Sequence, residues 1–284
     1  MIRPNLHLLL AISAAAAAVT LTVPAQAITI YGLGSGGQLY SFDTATPGTV
    51  NPIGSATVGG LVDIDFRGAN NRLYGMTSSG AASTINTSNG VLTSVFANTS
   101  IPITGGVTSF DFNPVADRFR VVGGGINNYR VFPDGLAMPA GTVVGGAADG
   151  TFATPASVTL LDVAYTNPFN NTSTGMTTLF SIGSNSVLYT HPAAGGPTFN
   201  MVSAIGSLGI TVGSDIAFDI DSTGTGWLVD GTSLYTVNLT TGLAAPAGTL
   251  GQSLTSIAVV PEPSSAIVLV STAGLFFLRR RRTI

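Results

Sequence analysis

The segment SFDFNPVADRFRVV, residues 109–122, carries the pattern on which the fold prediction rests. It opens with an alternation of large apolar and small polar residues, passes through Asn-Pro-Val-Ala-Asp, and ends in a second apolar run. An alternation with a period of two is typical of β-strands, and Asn-Pro commonly starts a turn. The segment therefore predicts two antiparallel strands that are joined by a short loop.

The same opening recurs along the chain. Related openings are DIDFRGANNRLYGM (63–76), LDVAYTNPF (161–169), DIAFDIDSTGTGWLV (215–229) and a shortened SIAVV (256–260). Every opening except the last is followed by three further short runs, separated by clusters of Gly, Asn, Asp, Ser and Thr. The openings begin 41–54 residues apart, and self-similarity of this kind indicates a repeat of four-stranded units.

The segment that begins at Ile28 supplies the second, third and fourth apolar runs that the fifth opening lacks. ITIYGLG, QLYSFDTATPG and VNPIGS, within residues 28–55, resemble second, third and fourth runs without a first. We therefore expect SIAVV to pair beside the N-terminal strands and to close a ring. The predicted fold is an all-β propeller of five four-stranded blades, with an N-terminal signal helix and a C-terminal hydrophobic helix outside it.

The alternation also predicts a ring of small polar side chains around a central channel. If the openings are the innermost strands, one level of the channel contains Asp63, Ser109, Asp162, Asp215 and Ser256. Neighbouring carboxylates would repel one another and could share protons or hold a cation. The alternative is that they accept hydrogen bonds from backbone amides.

The charge distribution narrows the function classes. The chain has no lysine and no cysteine, and residues 28–260 hold five arginines against twelve aspartates, a net charge of −7. Such a surface repels phosphate backbones, so nucleic acid is not an expected partner. After the leader the only histidine is His191, which precedes a proline at a predicted turn and is expected to be exposed.

The N-terminus has the order of residue types that is typical of a signal peptide. One arginine is followed by an apolar run and then by Ala25-Gln26-Ala27, where small residues at Ala25 and Ala27 fit a signal peptidase site. We expect export across the inner membrane and a mature chain that begins near Ile28. A buried helix is the alternative for this segment.

The C-terminus combines three features in order. Pro261, Glu262 and Pro263 precede an apolar run from Ala266 to Leu278, and a cluster follows at Arg279, Arg280, Arg281 and Arg282. This segment resembles the PEP-CTERM sorting signal of Gram-negative bacteria. The resemblance implies processing by an exosortase-type membrane protease, with the triplet and the arginines as recognition residues. It also implies membrane contact through the C-terminal helix before release into the envelope or extracellular space. A permanent tail anchor is the alternative.

The middle of the chain resembles an exported bacterial domain of unknown function, DUF4394. In that family a phrase Asn-Pro-Val-Ala-Asp-Arg-Leu-Arg-Val-Val recurs, and this chain matches it over residues 113–122 with Phe119 in place of Leu. The resemblance implies an exported β-repeat domain and no particular chemistry. The predicted organisation is a signal peptide (1–27), a propeller-like domain (28–260) and a sorting or anchor segment (261–284).

Two loops carry candidate sites. The spacing of Asp219, Asp221, Thr223 and Asp230 imitates a calcium loop, although the fifth ligand is weak and an aspartate stands in the last place. A plain hairpin is the alternative there. In the NPVAD turn, Asp117 could form a local ion pair with Arg118 and Arg120. The pair would fix the turn, and the alternative is that the arginines bind a ligand.

Two function classes remain. The first is a non-enzymatic exported module that binds or organises exopolysaccharide in the envelope or extracellular matrix. The second is a propeller enzyme of the lactonase or lyase kind that uses channel aspartates with a divalent metal. No cofactor is expected apart from a possible Ca²⁺ ion.

Overall fold

The computed structural model describes residues 27–57, 59–168, 175–192 and 197–261. The predicted signal helix, its cleavage residue Ala25, the C-terminal hydrophobic helix, Glu262, Pro263 and the four terminal arginines lie outside the described residues. Within the described ranges, twenty β-strands form five antiparallel sheets of four strands each. No helix in this part of the chain has the length and apolar character needed to cross a membrane.

Each sheet is one blade, and blade 1 is built from both ends of the domain. Its strands, from the inside outward, are β20 (Ser256–Val259), β1 (Thr29–Leu33), β2 (Gln38–Asp43) and β3 (Asn51–Thr57). Strands β20 and β1 are antiparallel, with Ile30 opposite Val259 and Leu33 opposite Ser256. The predicted closure of the ring by the two terminal segments is confirmed.

The other four blades follow one another along the chain, each beginning with its innermost strand. Blade 2 contains β4 (Leu61–Arg67), β5 (Arg72–Thr77), β6 (Ala82–Ile85) and β7 (Leu92–Phe96). Blade 3 contains β8 (Val107–Asn113), β9 (Arg118–Gly123), β10 (Asn127–Val131) and β11 (Gly150–Thr151). Blade 4 contains β12 (Leu160–Tyr165), β13 (Leu179–Gly183), β14 (Val187–Thr190) and β15 (Ser203–Ser207). Blade 5 contains β16 (Ile216–Ile220), β17 (Gly226–Asp230), β18 (Ser233–Val237) and β19 (Ala244–Thr249).

The five inner strands contact one another in the order β4, β8, β12, β16, β20 and back to β4. The molecule is therefore a closed five-bladed β-propeller, as the repeat predicts. Blades 3 and 4 carry the longer connections, and two short 3-10 helices lie there at Val144–Gly146 and Pro197–Asn200. The ring packs the inner edge of every sheet against the neighbouring inner strands, so that the inner edges are covered.

The core lies between the blades, where large side chains of one inner strand meet the next sheet. Phe112 and Phe119 of blade 3 pack with centroids 4.3 Å apart and ring planes tilted by 35°, and Tyr74 of blade 2 packs edge-on against Phe112 at 5.1 Å. Edge-to-face aromatic pairs add to the burial of apolar area. The inner strands are buried on both faces, since one face packs against a neighbouring blade and the other lines the channel.

The turns that join the first and second strands explain two of the repeated polar motifs. Asn71 and Asp117 occupy equivalent places in blades 2 and 3, with φ values of 52° and 51°. Asn and Asp tolerate this left-handed region better than other side chains do. The Asn113 carboxamide oxygen accepts hydrogen bonds from the amides of Val115 and Ala116 at 2.9 and 2.8 Å. These contacts support a turn-fixing role for the NPVAD motif.

Candidate functional site

The channel is lined by two layers of side chains, which the hydrogen bonds between neighbouring inner strands define. The first layer consists of Asp63, Ser109, Asp162, Ala217 and Ser256. The second layer lies two residues further along each strand and consists of Asp65, Asp111, Ala164, Asp219 and Ala258. Five carboxyl groups and two hydroxyl groups therefore face one narrow space.

The channel aspartates connect each blade to the next. Asp63 accepts the amide N–H of Ile64 at 2.9 Å and that of Phe110, in the next blade, at 2.7 Å. Asp162 does the same with Val163 at 2.9 Å and Phe218 at 2.7 Å. Because both carboxylate oxygens accept a main-chain donor, each aspartate fixes the position of two adjacent inner strands.

Two of the other three acids, Asp65 and Asp219, follow the same pattern. Asp65 accepts from Phe66 and Phe112 at 2.6 and 2.8 Å. Asp219 accepts from Ile220 and from Val259 of blade 1, both at 2.6 Å. The alternative that the sequence left open, acceptance of backbone hydrogen bonds, thus describes these carboxylates, with donors on the inner strands rather than in loops.

Asp215, which the repeat alignment placed in the ring, lies elsewhere. It is exposed and precedes β16, whereas Asp219, within β16, points into the channel. The repeat alignment of blade 5 is therefore shifted by two residues. A shift of two leaves the same residues on the same strand face, so alternation alone does not detect it.

Burial in the channel disfavours the charged form of these acids. It raises the pKa of Asp63 and of Asp219 to about 7. The pKa of Asp65, Asp111 and Asp162 is raised well above the ordinary value, first by burial and then by the repulsion of neighbouring aspartates. The channel therefore favours proton or cation uptake over five free negative charges.

Three of these acids lie close together in the second layer. One oxygen each of Asp65, Asp111 and Asp219 lies within 4.8 Å of the other two. The space between the channel side chains leaves no volume that a water molecule can enter. Ligand pockets for small molecules are typically about 300–1,000 Å³, so an organic substrate does not fit here, whereas a bare metal ion is smaller than a water molecule.

The structure does not bring the four residues of the predicted calcium loop together. Asp219 lies in the channel, and Asp230 lies at the far end of β17, where it accepts the Gly213 amide at 3.3 Å. Asp221 accepts from the amides of Thr223 and Thr225 and from the indole of Trp227, at 2.8, 3.0 and 2.9 Å. The loop is a side-chain-capped hairpin, which the repeat also predicted.

The NPVAD turn takes part in an ion-pair cluster between blades. Asp117 binds Arg67 of blade 2, with 2.7 Å between Nε and Oδ1, and Asp134 binds the same guanidinium. Arg118 lies over the Phe132 ring, 3.8 Å from its centroid. The predicted local pair of Asp117 with Arg118 and Arg120 is wrong, because Arg120 turns inward and binds Asp149.

Arg120 and His191 are departures from the repeat that sequence reasoning missed. Strand registers align Arg120 with Tyr74 of blade 2 and Trp227 of blade 5. Its guanidinium donates to Asn128 at 2.6 Å and to Tyr165 at 3.2 Å, and lies 4.2 Å from the Phe199 centroid. The sequence offered one signal of this departure, because Arg120 stands at a position of the repeat where Tyr74 and Trp227 are aromatic.

His191 is buried, so the prediction that it is exposed is wrong. It is 1% exposed and aligns with Ile85 and Val237, which point into the core in their own blades. Its Nε2 lies 2.9 Å from the hydroxyl of Ser181, which is also buried. Burial, assisted by the charge of Arg120, lowers the pKa of His191 to about 3. A neutral, enclosed imidazole of this kind packs the interior rather than meeting a substrate.

Two grooves occupy equivalent places in blades 2 and 5, on the face of the propeller where the inner strands end. The blade 2 groove is about 320 Å³ and is lined by Asn71, Arg72, Leu73, Thr84, Ile85, Asn86, Thr87 and Thr93. The blade 5 groove is about 330 Å³ and is lined by Gly224, Thr225, Thr236, Val237, Asn238, Leu239 and Thr240. Strand registers equate six positions of these linings, including Thr84 with Thr236 and Asn86 with Asn238.

Comparison with known proteins identifies a family and a fold. The family model of a domain of unknown function, DUF4394, matches residues 38–258. No curated protein matches the sequence. Among solved structures, the chain resembles a symmetrical protein from a study of de novo evolutionary emergence under folding constraints. The two are 13% identical with a TM-score of 0.52, over 83% of this chain and 100% of the other.

A second similar structure is a protein of unknown function from Bacteroides thetaiotaomicron, solved by structural genomics. It is 11% identical with a TM-score of 0.51, and the match covers 82% of this chain and 65% of that one. At these identities the two structures indicate a shared fold alone.

Proposed function

The chain belongs to the DUF4394 family, and from that premise we propose that it is an exported, non-enzymatic binding or structural module that associates with exopolysaccharide in the cell envelope or extracellular matrix. The observation that carries the proposal is the pair of equivalent polar grooves in blades 2 and 5. The leader and the PEP-CTERM-like tail supply the expected location.

The lining of the grooves fits sugar hydroxyls. Each groove presents a half-buried threonine hydroxyl, Thr84 or Thr236, beside an exposed asparagine, Asn86 or Asn238. Hydroxyl and amide groups both donate and accept, as sugar hydroxyls do. Apart from Arg72, the linings carry no charge. This chemistry favours a neutral polysaccharide.

The position of the grooves fits a polymer. Blades 2 and 5 both neighbour blade 1, so the grooves flank the closing blade on one face. Two weak sites on one rigid body bind a repeating ligand with an avidity that neither site reaches alone. A rigid ring with equivalent sites therefore suits the organisation of matrix chains.

The enzymatic alternative has less support. A lactonase- or lyase-like reaction in the channel needs room for a substrate and carboxylates free to act on it. The channel leaves no volume that even a water molecule can enter, and Asp63, Asp65, Asp162 and Asp219 each accept two main-chain hydrogen bonds. Both features favour a structural use of these acids.

Polysaccharide binding is tested by affinity electrophoresis of the purified chain in gels that contain neutral or acidic exopolysaccharide. We expect retardation by the neutral polymer. The double variant T84V/T236V, which removes one hydroxyl from each groove at constant size, should lose most of it, and each single variant should lose less. T190V is the matched control, because Thr190 occupies the equivalent strand position in blade 4. Equal migration with and without every polymer would contradict the proposal.

Export and processing are tested separately in a Gram-negative host that has an exosortase. Mass spectrometry of the recovered protein should place its N-terminus near Ile28 and its C-terminus near Pro261. Replacing Glu262 should leave the tail attached. A protein that keeps residues 1–27 in the cytoplasm would overturn the export part of the proposal without touching the binding part.

A further inference from the structure

The second channel layer gathers three acids from three different blades. Asp65 lies on β4, Asp111 on β8 and Asp219 on β16, and all three are at most 7% exposed. One oxygen of each lies within 4.8 Å of the others. Oxygens on opposite sides of a Ca²⁺ ion at about 2.3–2.6 Å are separated by about 4.6–5.2 Å, so this spacing accommodates one such ion.

The charge of the channel has no counterion among the described residues. Arg67, Arg120 and Arg130 bind Asp117, Asp134 and Asp149, all outside the channel. Arg118 lies over Phe132, and Arg72 is exposed at a groove. Buried carboxylates without a cationic partner are costly, and they either bind protons or coordinate a metal.

The Ser109 hydroxyl provides a second, independent observation. Ser109 is 2% exposed, and its Oγ has no hydrogen-bond partner in the part of the chain that the structure describes. It lies two residues before Asp111 on β8, so it faces the same channel, one layer away from the three acids. A buried hydroxyl without a partner is rare and needs an occupant of the channel to satisfy it.

We propose that the channel binds one divalent cation, best fitted by Ca²⁺, with Asp65, Asp111 and Asp219 as its protein ligands. The Ser109 hydroxyl, which has no other partner among the described residues, would face this ion from the first layer. The carboxylate oxygens keep their backbone hydrogen bonds, since each oxygen has two lone-pair sites. The ion neutralises the acids and ties blades 2, 3 and 5 together at the axis.

The site is tested on the purified full-length chain, after dialysis against chelator and then against Ca²⁺ or Mg²⁺ alone. We expect about one Ca²⁺ per chain by elemental analysis. We also expect Tm to rise by roughly 5–10 °C at saturating Ca²⁺, as for a ligand that binds only the folded state. Failure of both ions to bind at millimolar concentration would overturn the proposal.

Variants locate the ion. D111A and D219N should lose the bound Ca²⁺ and the Tm rise. Alanine is tolerated at this layer, because Ala164 and Ala258 occupy it in blades 4 and 1. D230N is the matched control, since Asp230 belongs to the predicted calcium loop and lies outside the channel. If D230N loses Ca²⁺ while D111A and D219N keep it, the ion binds elsewhere and the proposal is wrong.

The experiments on the cation site and on the grooves have independent outcomes. T84V/T236V should keep one Ca²⁺ per chain, and D111A should keep polysaccharide retardation if it remains folded. Where D111A is too unstable to purify, the binding stoichiometry of the wild-type chain and of D219N still decides the question. Absence of polysaccharide binding therefore says nothing against the channel ion, and the reverse also holds.

Discussion

The guanidinium of Arg67, at the end of the inner strand of blade 2, binds the carboxylate of Asp117 in the turn of blade 3, with 2.7 Å between Nε and Oδ1. The Arg67 side chain is 6% exposed, whereas the Asp117 side chain is 32% exposed. A buried cation therefore holds a half-buried anion of the next blade. The contact links consecutive blades on the same face as the grooves.

Replacement of Arg67 should destabilise the propeller. In R67A, Asp117 and Asp134 lose their shared partner, and we expect the free energy of unfolding in urea to fall by about 1–3 kcal/mol. Water reaches both aspartates, which keeps the loss below that of a fully buried pair. Arg72, five residues further along, is exposed, and R72A should change stability by less than about 0.5 kcal/mol. Equal effects of the two substitutions would contradict the role given to Arg67.

The contribution of each aspartate to the free energy of unfolding should depend on the buried hydrogen bonds that it accepts. D162A removes the acceptor for the buried amides of Val163 and Phe218, and we expect a loss of about 2–4 kcal/mol in urea unfolding. D215A should cost less than about 0.5 kcal/mol, because Asp215 is exposed. A larger effect for D215A than for D162A would restore the repeat alignment that the structure corrects.

The buried histidine should make the fold sensitive to acid. Because burial lowers the pKa of His191 to about 3, the folded state binds fewer protons than the unfolded state between pH 6.5 and 3. The stability that His191 contributes is therefore fully present above about pH 6.5 and is lost as the pH falls toward 3, by at most about 1.4 kcal/mol per pH unit, whereas the channel aspartates with raised pKa values act in the opposite direction.

A double variant isolates that contribution. S181A/H191I replaces the imidazole with the residue type found at the equivalent Ile85 and avoids leaving the Ser181 hydroxyl unpaired. Its unfolding free energy should change less between pH 7 and pH 4 than that of the wild type, as measured by urea titration at each pH. S181A alone should keep the wild-type acid dependence. An unchanged pH profile in the double variant would rule out His191 as the cause.

Closure of the ring can be measured with one engineered disulfide. Ile30 lies opposite Val259 across the β1–β20 pair, and the chain has no native cysteine to compete. Oxidised I30C/V259C should unfold at higher urea than its reduced form, with a gain of about 2–4 kcal/mol from the constrained unfolded chain. The single variant I30C should show no difference on reduction. Failure of the two thiols to join under oxidising conditions would contradict the pairing.

Part of the molecule followed from the sequence alone. The period of two in the openings, their recurrence about every 48 residues, and the match between an N-terminus that lacks a first strand and a C-terminus that supplies only a first strand determined the strand type, the five blades and the closure. Large residues at Phe110 and Phe112 beside small ones at Ser109 and Asp111 also indicated which face lines the channel. These are local properties, since side-chain direction in a strand alternates without reference to the rest of the fold.

Only the tertiary structure decided which residues meet at the axis. Asp215, Ala217 and Asp219 alternate along the sequence, so the pattern allows either aspartate to enter the ring, and the hydrogen bond from the Val259 amide to Asp219 selects the second. The burial of His191 and the pairing of Arg67 with Asp117 likewise depend on neighbouring blades, which are far away along the chain. A repeat specifies each blade, whereas the register between blades is set by contacts that exist only after the ring has closed.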